Sequence, residues 1–308
     1  MSSVPCPSGE EAGESKAEPG RVDAARRLLS FASALLARVP LRAGHRIANG
    51  FAWAHYAFFP RRRRAVSANL AVLRPGLSPR ERRVETRRVM AAYNKMLFEF
   101  FRLPGLTREE LLSCVEIEGM DHVLGALAHG RGLILTSCHV GNWELGAVVV
   151  ALHGPRLHAV AGVQLGRWLT GAVRDAKDDL AVSTVAPEDS YRKLFRALGK
   201  NDVVALMVDG DIFSNGRPVR LFGRDMSWPS GPGVLAKRTH APVVCGYCER
   251  TERGTFRVVL EPALEPDQYG TADDLNAAIA RATERHIDTH ADQWCIFRPF
   301  FEPLGVAT

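Results

Sequence analysis

A chain of 308 residues is long enough for one large domain with a substantial core, or for two modest ones. Hydrophobic residues at 46% and charged residues at 24% are ordinary for a folded soluble or peripheral protein, and six scattered cysteines exclude a secreted disulfide scaffold and point to a reducing compartment. The formal net charge of +6 calls for an anionic partner, which leaves lipid headgroups, an acidic carrier protein or nucleic acid.

Residues 1–20, rich in Ser, Glu, Gly and Pro, have too few apolar groups to order themselves and are expected to form a disordered tail. They lack the basic start and apolar run of a secretory signal, so nothing in them suggests export. Residues 28–39 and 47–59 are two apolar runs separated by Arg38, Pro40, Arg42, His45 and Arg46, and neither reaches the roughly 18 uninterrupted apolar residues a spanning helix needs. Trp53, Tyr56, Phe58 and Phe59, followed at once by Arg61 to Arg64, suit a segment lying in the interface of an anionic membrane. A helical hairpin packed on the core with a solvated Arg patch fits the same residues. Nucleic-acid binding is disfavoured because no recognition motif accompanies the arginines.

Residues 78–103 open on Ser-Pro and close on Pro-Gly, which predicts one long helix with Val89, Tyr93, Met96 and Phe100 on a common face. A short strand over 115–119 and a helix over 120–129 then lead into Arg131. The stretch 131–150, RGLILTSCHVGNWELGAVVV, organises the chain. Leu133 to Thr136 is a buried-strand run, the polar break from Ser137 to Asn142 is a loop, and a helix follows with Asn142 as its N-cap. His139 and Glu144, five apart, would point about 140° from each other on one helix. They meet only if the histidine lies in the loop and the glutamate in the helix's first turn, a geometry that makes a general base of His139. With 10 His and 34 acidic residues, chance supplies about one such spacing in the chain, so the bare pattern carries little weight and its context carries the rest. A hydrogen-bonded structural histidine near a helix start fits the same residues.

Downstream, residues 157–163 read as a strand, 168–177 as a helix, 191–198 as an amphipathic helix and 203–208 as a strand ending in Asp209 and Asp211. Open α/β sheets place functional groups at such ends, and turn capping is the alternative. A metal at Asp209 and Asp211 lacks a third ligand nearby. Gly231 to Ala236 fits a loosened dinucleotide fingerprint but follows a Pro-bearing loop rather than a strand, although its Gly-rich helix start suits a phosphate or a pantetheine amide. Cys245 and Cys248 are one CxxC pair in a strand-like run and read as core residues. His286 and His290 stand four apart on a helix over 273–290, but the glutamate of HExxH is absent at Ile287. No GxSxG elbow is present.

Several blocks together resemble one family. HVGNWE after an apolar strand is similar to the HxxxxE box of the late acyltransferases of lipid A biosynthesis, within the broader HxxxxD/E lysophospholipid and glycerolipid acyltransferases. Residues 199–211 (GKNDVVALMVDGD), 219–223 (VRLFG) and 229–241 (PSGPGVLAKRTHA) resemble further family blocks in the same order, and the tail from Trp294 resembles its C-terminal ending. The resemblance implies an α/β fold, a mostly parallel central sheet flanked by helices with an N-terminal helical membrane-associating extension. It divides the chain into 1–20 (tail), 21–64 (membrane-associating segment) and 65–308 (acyltransferase domain).

It further implies an O-acyltransferase carrying a fatty acyl group from acyl carrier protein or acyl-CoA to a hydroxyl of a lipid or glycolipid. The acceptor would be in lipid A or a related glycolipid, with phosphatidylinositol mannosides or lysophospholipids as alternatives; a non-catalytic lipid-binding protein on the same fold is the further alternative. His139 and Glu144 would be catalytic, and Asn142, Trp143, Arg174, Asp209 and Asp211 would contact substrate. No cofactor, metal or nucleic acid is called for, and the expected location is the cytoplasmic face of the cell membrane, peripheral or N-terminally anchored.

Overall fold

The computed structural model describes residues 19–160, 180–186, 190–210 and 216–301. Four helices come first: α1 (Pro19–Ala37), α2 (Leu41–Phe58), α3 (Pro60–Leu73) and α4 (Pro79–Arg102). Helix α4 starts where Ser78 and Glu81 cap one another's backbone and Pro79 supplies the fixed φ of the first turn. Its buried face is the expected one, Val89, Met96 and Phe100, and α1, α2 and α3 all pack against α4. Helix α3 runs without a break across position 64. No helix among the described residues is long and apolar enough to cross a membrane. Leu28, Phe31 and Leu35 on α1 and Ile47, Phe51, Trp53 and Phe58 on α2 are nevertheless exposed.

The rest is an α/β sandwich. Its strands are β1 (Val115–Glu118), β2 (Leu133–Ser137), β3 (Leu157–Val160), β4 (Val182–Val185), β5 (Val203–Met207), β8 (Val243–Arg250) and β9 (Phe256–Leu260), in the spatial order β1-β9-β8-β2-β5-β3-β4. Every pairing is parallel except the β8–β9 hairpin. The expected mostly parallel sheet is therefore present. Strand β2 lies near its middle and is apolar on both faces, as a doubly covered parallel strand must be. Ile134 points into one core with residues of α3, α4 and the C-terminal helices, whereas Leu133 and Leu135 point into the other, beneath α5 (Arg108–Ser113), α6 (Met120–Leu127) and α7 (Trp143–Leu152). A separate antiparallel ribbon joins β6 (Arg217–Leu221) to β7 (Arg224–Trp228). Helices α8 (Ser190–Leu198), α9 (Gly231–Thr239) and α10 (Ala272–Thr289) complete the fold.

The topology fixes where chemistry can sit. From β2 the chain runs through α7 to β3 on one side, and it later returns to lay β8 on the other side of β2. That reversal opens a crevice at the carboxyl ends of the central strands, where open α/β sheets bind ligands.

Candidate active site

Strands β2 and β5 pair in register, Ser137 beside Met207. His139 and Asp209 each follow two residues later, so the parallel ladder delivers them side by side. The His139 ring donates from Nδ1 to Asp209 Oδ1 at 2.7 Å, and its backbone N–H donates to Oδ2 at 2.7 Å. Trp294 Nε1 also donates to Oδ2, at 2.9 Å. A carboxylate only accepts, so Asp209 holds the ring proton on Nδ1 and leaves Nε2 as the basic nitrogen. The C-terminal segment clamps the same loop, since Cys295 N–H donates to the His139 carbonyl at 2.8 Å and Val140 bridges to Trp294.

The loop turns into α7 through two residues that tolerate no substitute easily. Gly141 has φ +64°, and a Cβ there would lie 2.1 Å from the Cys248 carbonyl oxygen. Asn142 caps α7 by accepting from Leu145 N–H at 2.9 Å, and its amide donates to Glu99 Oε2 at 2.9 Å. Glu99 itself is buried and bonded twice by Arg250 and once by His45, which joins α2, α4, β8 and the catalytic loop into one polar network.

His139 is partly exposed, with 32% of its side chain accessible, and it lines the mouth of a cavity of about 200 Å³ that reaches between α7 and the sheet. The wall is apolar, and small residues make the room: Gly146 and Ala147 on α7, and Ala159, Ala205 and Gly246 on the strands. Replacing Gly246 by any larger residue would bring a Cβ to 2.8 Å from Leu135 and Leu260. Burial pushes the His139 pKa down, but the charge and hydrogen bond of Asp209, with a smaller contribution from Glu144, outweigh it and raise the net value above the ordinary imidazole. Burial likewise pushes Asp209 up, and its bonds to His139 and Trp294 pull it below the usual carboxylate range.

The arrangement revises several sequence expectations. Glu144 stands in the first turn of α7, as expected; it also lines the cavity, and its negative charge acts on His139. The carboxylate on Nδ1, however, is Asp209. Asp209 was expected to position substrate, but it is fully buried and committed to the histidine, its loop and Trp294. Asn142, expected to contact substrate, is likewise buried, and its amide caps α7 and donates to Glu99.

Trp143 packs edge-on against the His139 ring, with centroids 4.8 Å apart, and faces the cavity. The backbone N–H groups of Gly141 and Asn142 are bonded to the Gln293 and Cys248 carbonyls, so neither is free to serve an oxyanion. The Gly-rich start of α9 is packed rather than open, since Gly233 N–H donates to Asn276 Oδ1 at 2.8 Å. Arg174 and Asp211 lie outside the described residues, as does the helix expected over 168–177. Trp294 and Arg298 were missed as site residues; Arg298 donates to the Asp209 carbonyl at 3.4 Å, and its charge opposes protonation of His139.

A family model described as bacterial lipid A biosynthesis acyltransferase matches residues 24–302. A phosphatidylinositol mannoside acyltransferase of Mycobacterium tuberculosis is 30% identical over 218 residues, covering 68% of this chain and 68% of that protein. Its namesake in Mycolicibacterium smegmatis is 27% identical over 218 residues, covering 68% and 70%. Among solved structures, a 1-acyl-sn-glycerophosphate acyltransferase of Thermotoga maritima superposes with a TM-score of 0.40 at 12% identity, over 87% of this chain and 99% of that one, a likeness too loose to inform function. The match over nearly the whole chain and the relatives' shared activity agree: the chain belongs to the bacterial lipid A biosynthesis acyltransferase family and is an acyltransferase.

Proposed function

We propose that this acyltransferase moves a fatty acyl group from a pantetheine thioester, on acyl carrier protein or coenzyme A, to a hydroxyl of a membrane glycolipid. His139 Nε2 takes the acceptor's proton as its oxygen attacks the thioester carbonyl. The carbon–sulfur bond then breaks, and the same proton passes to the departing thiolate. Asp209 holds the ring's tautomer, and the charges of Asp209 and Glu144 stabilise the imidazolium. The acyl chain occupies the apolar cavity behind Trp143. The observation that carries this reading is an imidazole fixed by a buried carboxylate at the mouth of an apolar cavity. Arg174 and Asp211 are proposed as substrate contacts on the family resemblance.

The acceptor to test first is a mannosylated phosphoinositide, which the relatives' names favour. The exposed apolar faces of α1 and α2, next to Arg61 to Arg64, suit insertion into one leaflet of an anionic membrane at its cytoplasmic face. The +6 charge suits both that surface and an acidic carrier. The test supplies purified protein with acyl-CoA or acyl carrier protein and candidate glycolipids in anionic vesicles, and reads the acylated product by mass spectrometry. An ester product from one acceptor class is expected. Lipid binding without turnover of either thioester would reduce the protein to a carrier.

A further inference from the structure

Away from the catalytic crevice, three potential ligands converge behind β8. His286 and His290 are one turn apart near the end of α10, and the glutamate that HExxH would supply from the helix comes instead from β8 as Glu249. One ligand atom from each lies within 4.8 Å of the others.

The unmet bonding at this spot is specific. Glu249 is buried, and Arg257 Nε donates to its Oε1 at 2.6 Å. Its Oε2 sits 2.6 Å from His290 Nε2 yet lacks the alignment of a hydrogen bond. The buried Nε2 of His286 has no hydrogen-bond partner in the protein. His290 Nδ1 is 3.2 Å from the His286 carbonyl, to which it donates, so its remaining lone pair is on Nε2, facing the carboxylate. Two acceptors so close call for a cation between them, a proton or a metal ion, and a proton there would still leave the buried Nε2 of His286 beside them unmet. A ring fixed through Nδ1 to a backbone carbonyl is also how metal-bound histidines are oriented.

We propose that His286 Nε2, His290 Nε2 and Glu249 Oε2 form a binding site for a borderline divalent transition ion such as Zn²⁺, with water completing the coordination. Two imidazoles and a carboxylate are an ordinary zinc donor set. Zinc bonds near 2.0–2.1 Å place tetrahedral ligand atoms about 3.3 Å apart, so His290 Nε2 and Glu249 Oε2, at 2.6 Å, open slightly while His286 Nε2 closes in, within reach of side-chain rotation. Arg257 opposes the ion's charge, but Glu118 shares that guanidinium at 3.5 Å and Asp292 acts on His290. The ion would pin the end of α10 to β8. His286 stacks on Tyr247 with ring centroids 3.9 Å apart, and Tyr247 lines the acyl cavity. Four residues past His290 the chain delivers Trp294 to Asp209, so the site would brace both.

The test strips the full-length protein with a chelator, titrates it with Zn²⁺ by calorimetry and records the absorption of the Co²⁺ form. The wild type is expected to take up one equivalent, to melt at a higher temperature when loaded, and to give the intense ligand-field bands of four-coordinate Co²⁺. His286→Phe keeps the stack on Tyr247 and Glu249→Gln keeps an acceptor for Arg257, so both should fold, and each is expected to bind at least about 100-fold more weakly. Absence of stoichiometric uptake by the wild type, or unchanged affinity in His286→Phe, overturns the proposal.

Discussion

Asp209→Asn exchanges one oxygen for an amide and probes the site with little change of shape. In the wild type three donors converge on the carboxylate: Nδ1 on Oδ1, and the His139 and Trp294 N–H groups on Oδ2. An asparagine has a single acceptor oxygen, and the two-donor side claims it. The amide NH₂ is then left facing Nδ1, which must become an acceptor, so the ring proton moves to Nε2 and the basic lone pair disappears from the cavity side. The same exchange in a Ser-His-Asp triad lowers kcat by about 10⁴ through the wrong tautomer. At 1.36 kcal/mol per decade that is about 5.5 kcal/mol of lost transition-state stabilisation. The assay is acyl transfer from a thioester at saturating acceptor near pH 7, alongside a melting curve to show a folded variant. A variant within about tenfold of wild type would refute the tautomer argument.

Other expectations follow from the same geometry. The rate should fall below an inflection lying above pH 6.5, because the base must be neutral and Asp209 raises its pKa; in Asp209→Asn that limb moves to lower pH, and in Arg298→Met, which removes an opposing charge, to higher pH. Glu144→Gln should lose about a hundredfold in transfer rate, less than Asp209→Asn. Glu99→Ala strands the buried Arg250 guanidinium and should cost about 3–5 kcal/mol, read as a fall in Tm of about 6–10 °C; a fall under 2 °C would contradict it. Gly246→Ala pushes a methyl between Leu135 and Leu260 and should slow transfer of long acyl chains more than short ones, measured with a ladder of thioesters.

Local signals in the sequence located much of this. The apolar run of β2, the Asn142 cap and the five-residue spacing put His139 in a loop and Glu144 in the next turn, as observed. The partnership of His139 with Asp209 was not legible, because it depends on the register of two parallel strands 70 residues apart. The Glu99, Arg250, His45 and Asn142 network spans four elements and leaves no local pattern at all. Residues 219–223 stood out only as a family block, and the β6–β7 hairpin they belong to was not legible. Its turn residues Phe222 and Gly223 both have positive φ (+49° and +73°), a conformation usually announced by Asn-Gly rather than by phenylalanine. The missing third ligand beside His286 and His290 likewise came from a distant strand.

In this mechanism one imidazole performs the proton transfer. Single-turnover acyl transfer by His139→Ala, folded by its melting curve and loaded with thioester and acceptor, tests it most directly. The rate is expected to fall by about 10²–10⁴ while thioester binding persists. Transfer at the wild-type rate would rule out His139 as the base.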